Sequence, residues 1–311
     1  MSTPSNPVPG SSLPPQAPAP VLIPETQSFY WCVKREFWEH RYLYIAPLSV
    51  VALFQAGFLI SLAHLPAKMR AASALEPMKQ HEIIQQPYNF AALLLMATFI
   101  FVAFFYCLDA LYGERRDRSI LFWKSLPVSD LTTILAKAVI PMFVLPVITF
   151  TITVVTQLIM LLLSSVVLAG SGVSVTMLWN HVPFFQMSVM LFYHLLGMHG
   201  LYYAPIYCWL LLVSCWARRA PFLWASLPLL AVGIVEKIAF NTSYLGLLLQ
   251  YRFMGGPDAI NYPAKATDPM HDMTILPLAR FLTSPGLWIG LSVAGAFLAG
   301  AVRLRRYREP I

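Results

Sequence analysis

Long apolar runs alternate with short charged ones along this chain. Six runs, over residues 42–62, 90–112, 131–168, 188–216, 222–240 and 285–304, each carry the roughly 20 apolar residues that crossing a bilayer requires. Segments of about ten residues with alternating polarity, the mark of a transmembrane barrel, do not occur. The pattern predicts an all-α polytopic membrane protein with six transmembrane helices. The third run is too long for one crossing: as a continuous helix it would extend roughly 57 Å against a hydrocarbon core of about 30 Å. It either breaks near Pro141 or Pro146 or begins outside the membrane. Pro127 followed by Ser129 and Asp130 is a helix start with a capping side chain, which favours the second.

Ahead of the first run, residues 1–24 hold eight prolines among Ser, Ala and Asn. Such a segment buries too little apolar surface to fold and is expected as a disordered tail ending near residue 25. It has neither the basic start nor the apolar core of a cleavable signal. Residues 26–41 (TQSFYWCVKREFWEHR) mix aromatics with charges. Phe29, Tyr30, Val33 and Phe37 share one arc of a helical wheel, with Trp31 and Trp38 outside it. An interfacial helix is expected, its aromatics in lipid and Lys34, Arg35 and Arg41 toward the headgroups; an early start to the first membrane helix is the alternative. Two connections, 64–89 and 241–284, are long enough to be functional or disordered. Residues 305–311 form a short basic tail.

Composition agrees with the pattern. Of 311 residues 58% are hydrophobic and 11% charged, with mean hydropathy +0.64, where soluble domains average about 25% charged. The formal charge is +7. An even number of spans puts both termini on one side. Lys34, Arg35, Arg41, the five basic residues from Arg115 to Lys137, Arg218, Arg219, Arg303, Arg305, Arg306 and Arg308 then share that side. This is fourteen of the twenty-one basic residues, so both termini are expected in the cytoplasm. Basic residues gathered at span ends, rather than along one face, argue against nucleic acid. Cys32, Cys107, Cys208 and Cys215 lie in or beside apolar runs without a CxxC and read as packing residues.

Candidate chemistry is sparse. No glycine-rich loop ending in GK[ST] is present, so the chain carries no nucleotide site of that kind, and HExxH is absent. No metal site and no catalytic residue is expected. His194 and His199, five residues apart, are expected on different helix faces. Thr149, Thr153, Thr156 and Ser164, with Gln157 beside them, give the third span a polar face that either lines a path or hydrogen-bonds across helices. Glu236 and Lys237, near the end of the fifth span, are candidates for a gate or substrate contact; their depth also lets both reach water. Gly286, Gly290 and Ala294 make a small-residue face for close helix packing.

The most charged stretch is 111–130, LYGERRDRSILFWKSLPVSD. It is longer than reversing the chain requires, and the surplus at 119–126 is expected as a short helix across the hinge. Residues 111–129, with Lys137 after them, closely resemble the intracellular loop of ABC-2 type exporter permeases, which share an N-terminal interfacial helix and six spans. The resemblance implies the membrane subunit of an ATP-driven exporter in a bacterial cytoplasmic (inner) membrane. The ATPase, with its ATP and Mg, would be a separate chain present in two copies below two permease chains. The hinge helix would be the coupling helix. Of the hinge residues, Arg115, Arg116, Arg118 and Lys124 would pair with acidic groups on the ATPase, Ile120, Phe122 and Trp123 would fill its cleft, and Glu114 belongs to the same motif. Fixing topology and binding anionic lipid is the plainer use of these arginines. The expected cargo is amphiphilic or hydrophobic. The competing readings are a stand-alone secondary transporter, which calls for ionisable groups at mid-membrane, and an intramembrane enzyme.

Overall fold

The computed structural model describes residues 25–125, 128–254 and 281–307. The tail expected before residue 25, the end of the hinge helix at 126, most of the connection expected over 241–284 and the last residues of the basic tail lie outside them. The described chain is helical. Five of its helices are long and apolar enough to cross a membrane, or six if a pair bent by 46° counts as one; this is an all-α polytopic membrane protein.

Helix α1 (Glu25–Glu39) leads into α2 (Tyr42–Leu62), whose unbroken apolar run holds all round. A short α3 (Leu65–Ala72) follows, and α4 runs from Pro77 to Asp109. At 33 residues, α4 extends about 50 Å, well beyond a hydrocarbon core of about 30 Å. The span expected to begin at residue 90 thus starts thirteen residues earlier. Hydropathy marks only the lipid-embedded part, whereas Pro77 starts the helix, its missing N–H costing nothing in the first turn. Helices α5 (Tyr112–Arg116) and α6 (Ser119–Ser125) form the hinge.

The third long helix has two parts. Helix α7 (Asp130–Val139) passes through a π-helical turn, Ile140–Val144, into α8 (Leu145–Gly170). Ser129 Oγ accepts from the Thr132 N–H at 3.0 Å and caps α7. Pro141 has no N–H to give the preceding turn, and the ladder slips by one residue around it. The next stretch is more broken: α9 (Val175–His181), α10 (Phe184–Tyr193), a π-helical segment His194–Tyr202, then α11 (Ala204–Trp216). The bend ahead of α11 falls beside Pro205, for the same reason. Helix α12 (Pro221–Phe240), α13 (Tyr244–Met254) and α14 (Pro285–Tyr307) complete the described chain.

Two apolar cores hold the bundle. One joins α4, α7, α11 and α14 around Tyr106, Ile134, Leu211 and Leu287. The other joins α2, α4, α8 and α9 around Phe58, Tyr88, Met160 and Leu178. The two π-helical segments cross within the first. Gly200 permits that crossing, since a Cβ there would stand 2.5 Å from the Met142 carbonyl oxygen.

Candidate functional site: the charged hinge

Helix α1 turns Glu36 and Arg35 inward and Tyr30, Trp31 and Trp38 outward. The Lys34 ammonium lies 4.8 and 4.7 Å from the Trp31 and Trp38 rings. Val33 and Phe37 pack on the core between Cys32 and Glu36, which is fully buried. Arg35, expected among the headgroups, instead reaches into the protein; of the arc expected in lipid, Tyr30 faces out but Val33 and Phe37 pack on the core. The reason is the acid at Glu36. A carboxylate on the packed face of a helix needs cations around it.

Two of those cations come from far along the sequence, and the third is the adjacent Arg35. Lys137 of α7, 1% exposed, holds Glu36 at 2.8 Å and Glu114 at 3.1 Å. Arg305 of α14 holds Glu114 at 2.6 Å and Asp130 at 3.1 Å. Arg35 reaches Glu36 at 2.6 Å and Glu114 at 3.4 Å. The Tyr106 hydroxyl donates to the remaining Glu36 oxygen at 3.1 Å. Three carboxylates and three cations thus balance where α1, α5, α7 and α14 meet. Burial works to raise the pKa of Glu36, but Lys137 and Arg35 outweigh it and hold the group down at about 2. A buried network of this kind adds little over well-packed apolar residues, yet losing one member strands the others, at about 3–5 kcal/mol. It acts as a clamp on geometry.

The hinge is fixed to α11 as well. Ser214 Oγ accepts from the Leu111 and Tyr112 N–H groups at 3.1 and 2.8 Å. Arg115 donates to the Cys215 and Ala217 carbonyls at 2.6 and 3.1 Å, satisfying the open C-terminal end of α11 and meeting its dipole. Arg118 makes the corner into α6 with φ 57°. Ile120 is buried on the inner side of α6, and the Arg35 guanidinium lies 3.8 Å from the Trp123 ring.

The eight hinge residues singled out in the sequence therefore separate. Glu114, Arg115 and Ile120 face inward, and Trp123 is half-buried against Arg35. Arg116, Arg118, Phe122 and Lys124 face outward, joined by Leu121, which the sequence pattern did not single out; Leu121 and Phe122 are 59% and 60% exposed. Pattern reading also missed the roles of Glu36, Tyr106, Asp130 and Arg305. One signal was present: Glu36 follows Val33 by three residues, so an acid shares the arc of α1 that packs inward.

The other candidates fall elsewhere. Thr149, Thr153, Thr156, Gln157 and Ser164 are all buried. Thr153 and Thr156 bond back to α8 carbonyls, Gln157 Nε2 donates to the Tyr88 carbonyl at 3.2 Å, and the Tyr88 hydroxyl donates to Ser164 at 3.3 Å. Within this chain the polar face joins α8 to α4. Glu236 does not pair with Lys237; its carboxylate accepts from the Thr242 hydroxyl and from the Tyr244 and Leu245 N–H groups, capping α13, while Lys237 is exposed. His194 and His199 come together, their rings 6.1 Å apart, because a π-helical turn stacks residues five apart. Gly290 gives its space to Arg252, whose guanidinium lies 4.1 Å from the Tyr202 ring and donates to the Gly286 carbonyl at 2.9 Å. Among the described residues no group of His, Cys, Asp or Glu is placed to hold a metal ion.

No protein-family model, curated protein or solved structure matches the chain.

Proposed function

We propose that this protein is the permease subunit of an ABC-2 type exporter, coupled to a separate ATPase through α6. The carrying observation is an outward face of Arg116, Arg118, Leu121, Phe122 and Lys124, mounted on a neutral ion cluster that ties α1, α5, α7 and α14 into one unit. An exposed aromatic ringed by cations suits the buried-anchor chemistry of a protein interface. A push on α6 passes through Trp123 to Arg35, and through Glu114 to Lys137 and Arg305. Packed helices shift as units rather than bend softly, so the push reaches the spans as a tilt.

In this reading the chain crosses the membrane six times, the bent pair being one span, with the hinge and both termini in the cytoplasm of a bacterium. The outward aromatics of α1 lie in the interface. Two copies pair around a path for an amphiphilic or hydrophobic cargo, and two ATPase chains bind the ATP and Mg. The six members of the ion cluster fasten helix ends at the hinge, which favours this reading over a secondary transporter built on mid-membrane charges. The test is co-purification from mild detergent. The tagged chain should carry an ATP-hydrolysing polypeptide in stoichiometric amount, and Phe122→Ala with Lys124→Glu should release it without altering the fold. A wild-type chain that retains no such partner refutes the proposal.

A further inference from the structure

At the end of the bundle away from the hinge, α2, α3 and α4 enclose a cavity of about 730 Å³. Its walls come from membrane-crossing helices and are apolar: Leu53, Phe54 and Phe58 of α2 face Ile84 and Phe90 of α4. Leu53 and Phe90 are also exposed on the outer surface of the bundle, so the cavity opens to the side of the bundle. Gly57 sits in its wall, and a Cβ there would meet nothing within 4 Å. At the floor the Tyr88 hydroxyl is already bonded to Ser164. Lys68, exposed on α3, is the one charged side chain among the described residues that lines the space. Arg70 stands on the same short helix and donates to the Ser171 carbonyl at 3.3 Å, holding α3 across the end of α8. Helix α3 carries no acid, and the acids nearest in sequence, Glu76 and Glu82, do not line the cavity.

We propose that this cavity is a lipid site: it seats one acyl chain of an anionic phospholipid whose phosphate rests on Lys68. Its volume is in the range of about 300–1,000 Å³ typical of small-molecule pockets, enough for a chain rather than a whole diacyl lipid, and the second chain stays in the bilayer. The position of the cation at the helix-end rim, above an apolar slot, matches the layering of a phospholipid. Zwitterionic lipid fits the slot equally but gains nothing net from the lysine. The site is independent of any role in export.

The experiment is native mass spectrometry of the full chain in detergent, titrated with phosphatidylglycerol or phosphatidylcholine and read as the fraction carrying one lipid. Phosphatidylglycerol should be retained preferentially. Lys68→Gln, a surface change, should lower that retention about fivefold, the factor corresponding to about 1 kcal/mol per basic residue at a lipid surface. Gly57→Leu fills the slot and should abolish retention of both lipids, with an unchanged unfolding temperature as the check on its fold. Equal retention of the two lipids by the wild type overturns the proposal. So does retention unaffected by Lys68→Gln.

Discussion

Replacing Lys137 by Met removes the more buried of the two cations, it and Arg35, that hold both Glu36 and Glu114; its contacts are 2.8 and 3.1 Å. The displacement of Glu36 from 4.5 to about 2, held against burial by Lys137 and Arg35 together, sets the scale of the cost. At about 1.4 kcal/mol per pKa unit, the folded surroundings favour the carboxylate by about 3 kcal/mol. That sits at the lower edge of the roughly 3–5 kcal/mol expected for stranding a buried ion. Lys137→Met should therefore lower the unfolding free energy, measured in mixed detergent micelles, by about 3 kcal/mol. Adding Glu36→Gln leaves Glu114 and Asp130 against Arg35 and Arg305, a balanced set, and should recover most of the loss. The pH dependence has a fixed sign. A carboxylate whose folded pKa is depressed stabilises the fold above its unfolded value near 4.5, and that contribution disappears as pH falls from there toward 2. In Glu36→Gln this part of the acid slope should vanish. A Lys137→Met variant within about 1 kcal/mol of wild type, or losses that simply add in the double variant, would refute the reasoning.

Three other changes test the local structure. Gly200→Ala drives a Cβ to 2.5 Å from the Met142 carbonyl and should destabilise by about 1–3 kcal/mol as overpacking, whereas Gly295→Ala, with nothing within 4 Å, should be neutral or slightly stabilising. Glu236→Gln halves the acceptor capacity at the start of α13, and the Tyr244 and Leu245 amides should exchange hydrogen faster while α12 itself is unchanged.

The lipid-embedded helices were legible because their signal is local. The apolar run from Tyr42 to Leu62 contains its own evidence, as does the Ser129 cap of α7. Residues 77–89 were not legible as helix, since their Lys, His, Glu, Gln and Asn side chains give them the composition of a loop. The ion cluster was invisible for a different reason. Besides the adjacent Arg35, Glu36 finds partners 70 and 101 residues away, and Glu114 meets Arg305 across 191. Nothing in the spacing of a single chain announces such pairings; only the acid on the inner arc of α1 announces that a partner must exist. For the hinge, pattern reading found the segment but not which way each residue faces. That depends on Arg118 turning the corner with positive φ, a conformation an arginine does not advertise.

The π-helical turn between α7 and α8 has a consequence for helical phase. Lys137 and Thr149 are twelve positions apart, which in a uniform α-helix would set them about 120° out of line. Both are buried. One residue absorbed by the turn brings the count to eleven, and the two side chains fall within about 20° of one another. Straightened, the same sequence would have to rotate either its lysine or its threonines out toward lipid. The irregular turn therefore acts as a phase corrector, letting one rod serve an ionic neighbourhood at its base and a hydroxyl-lined one above it.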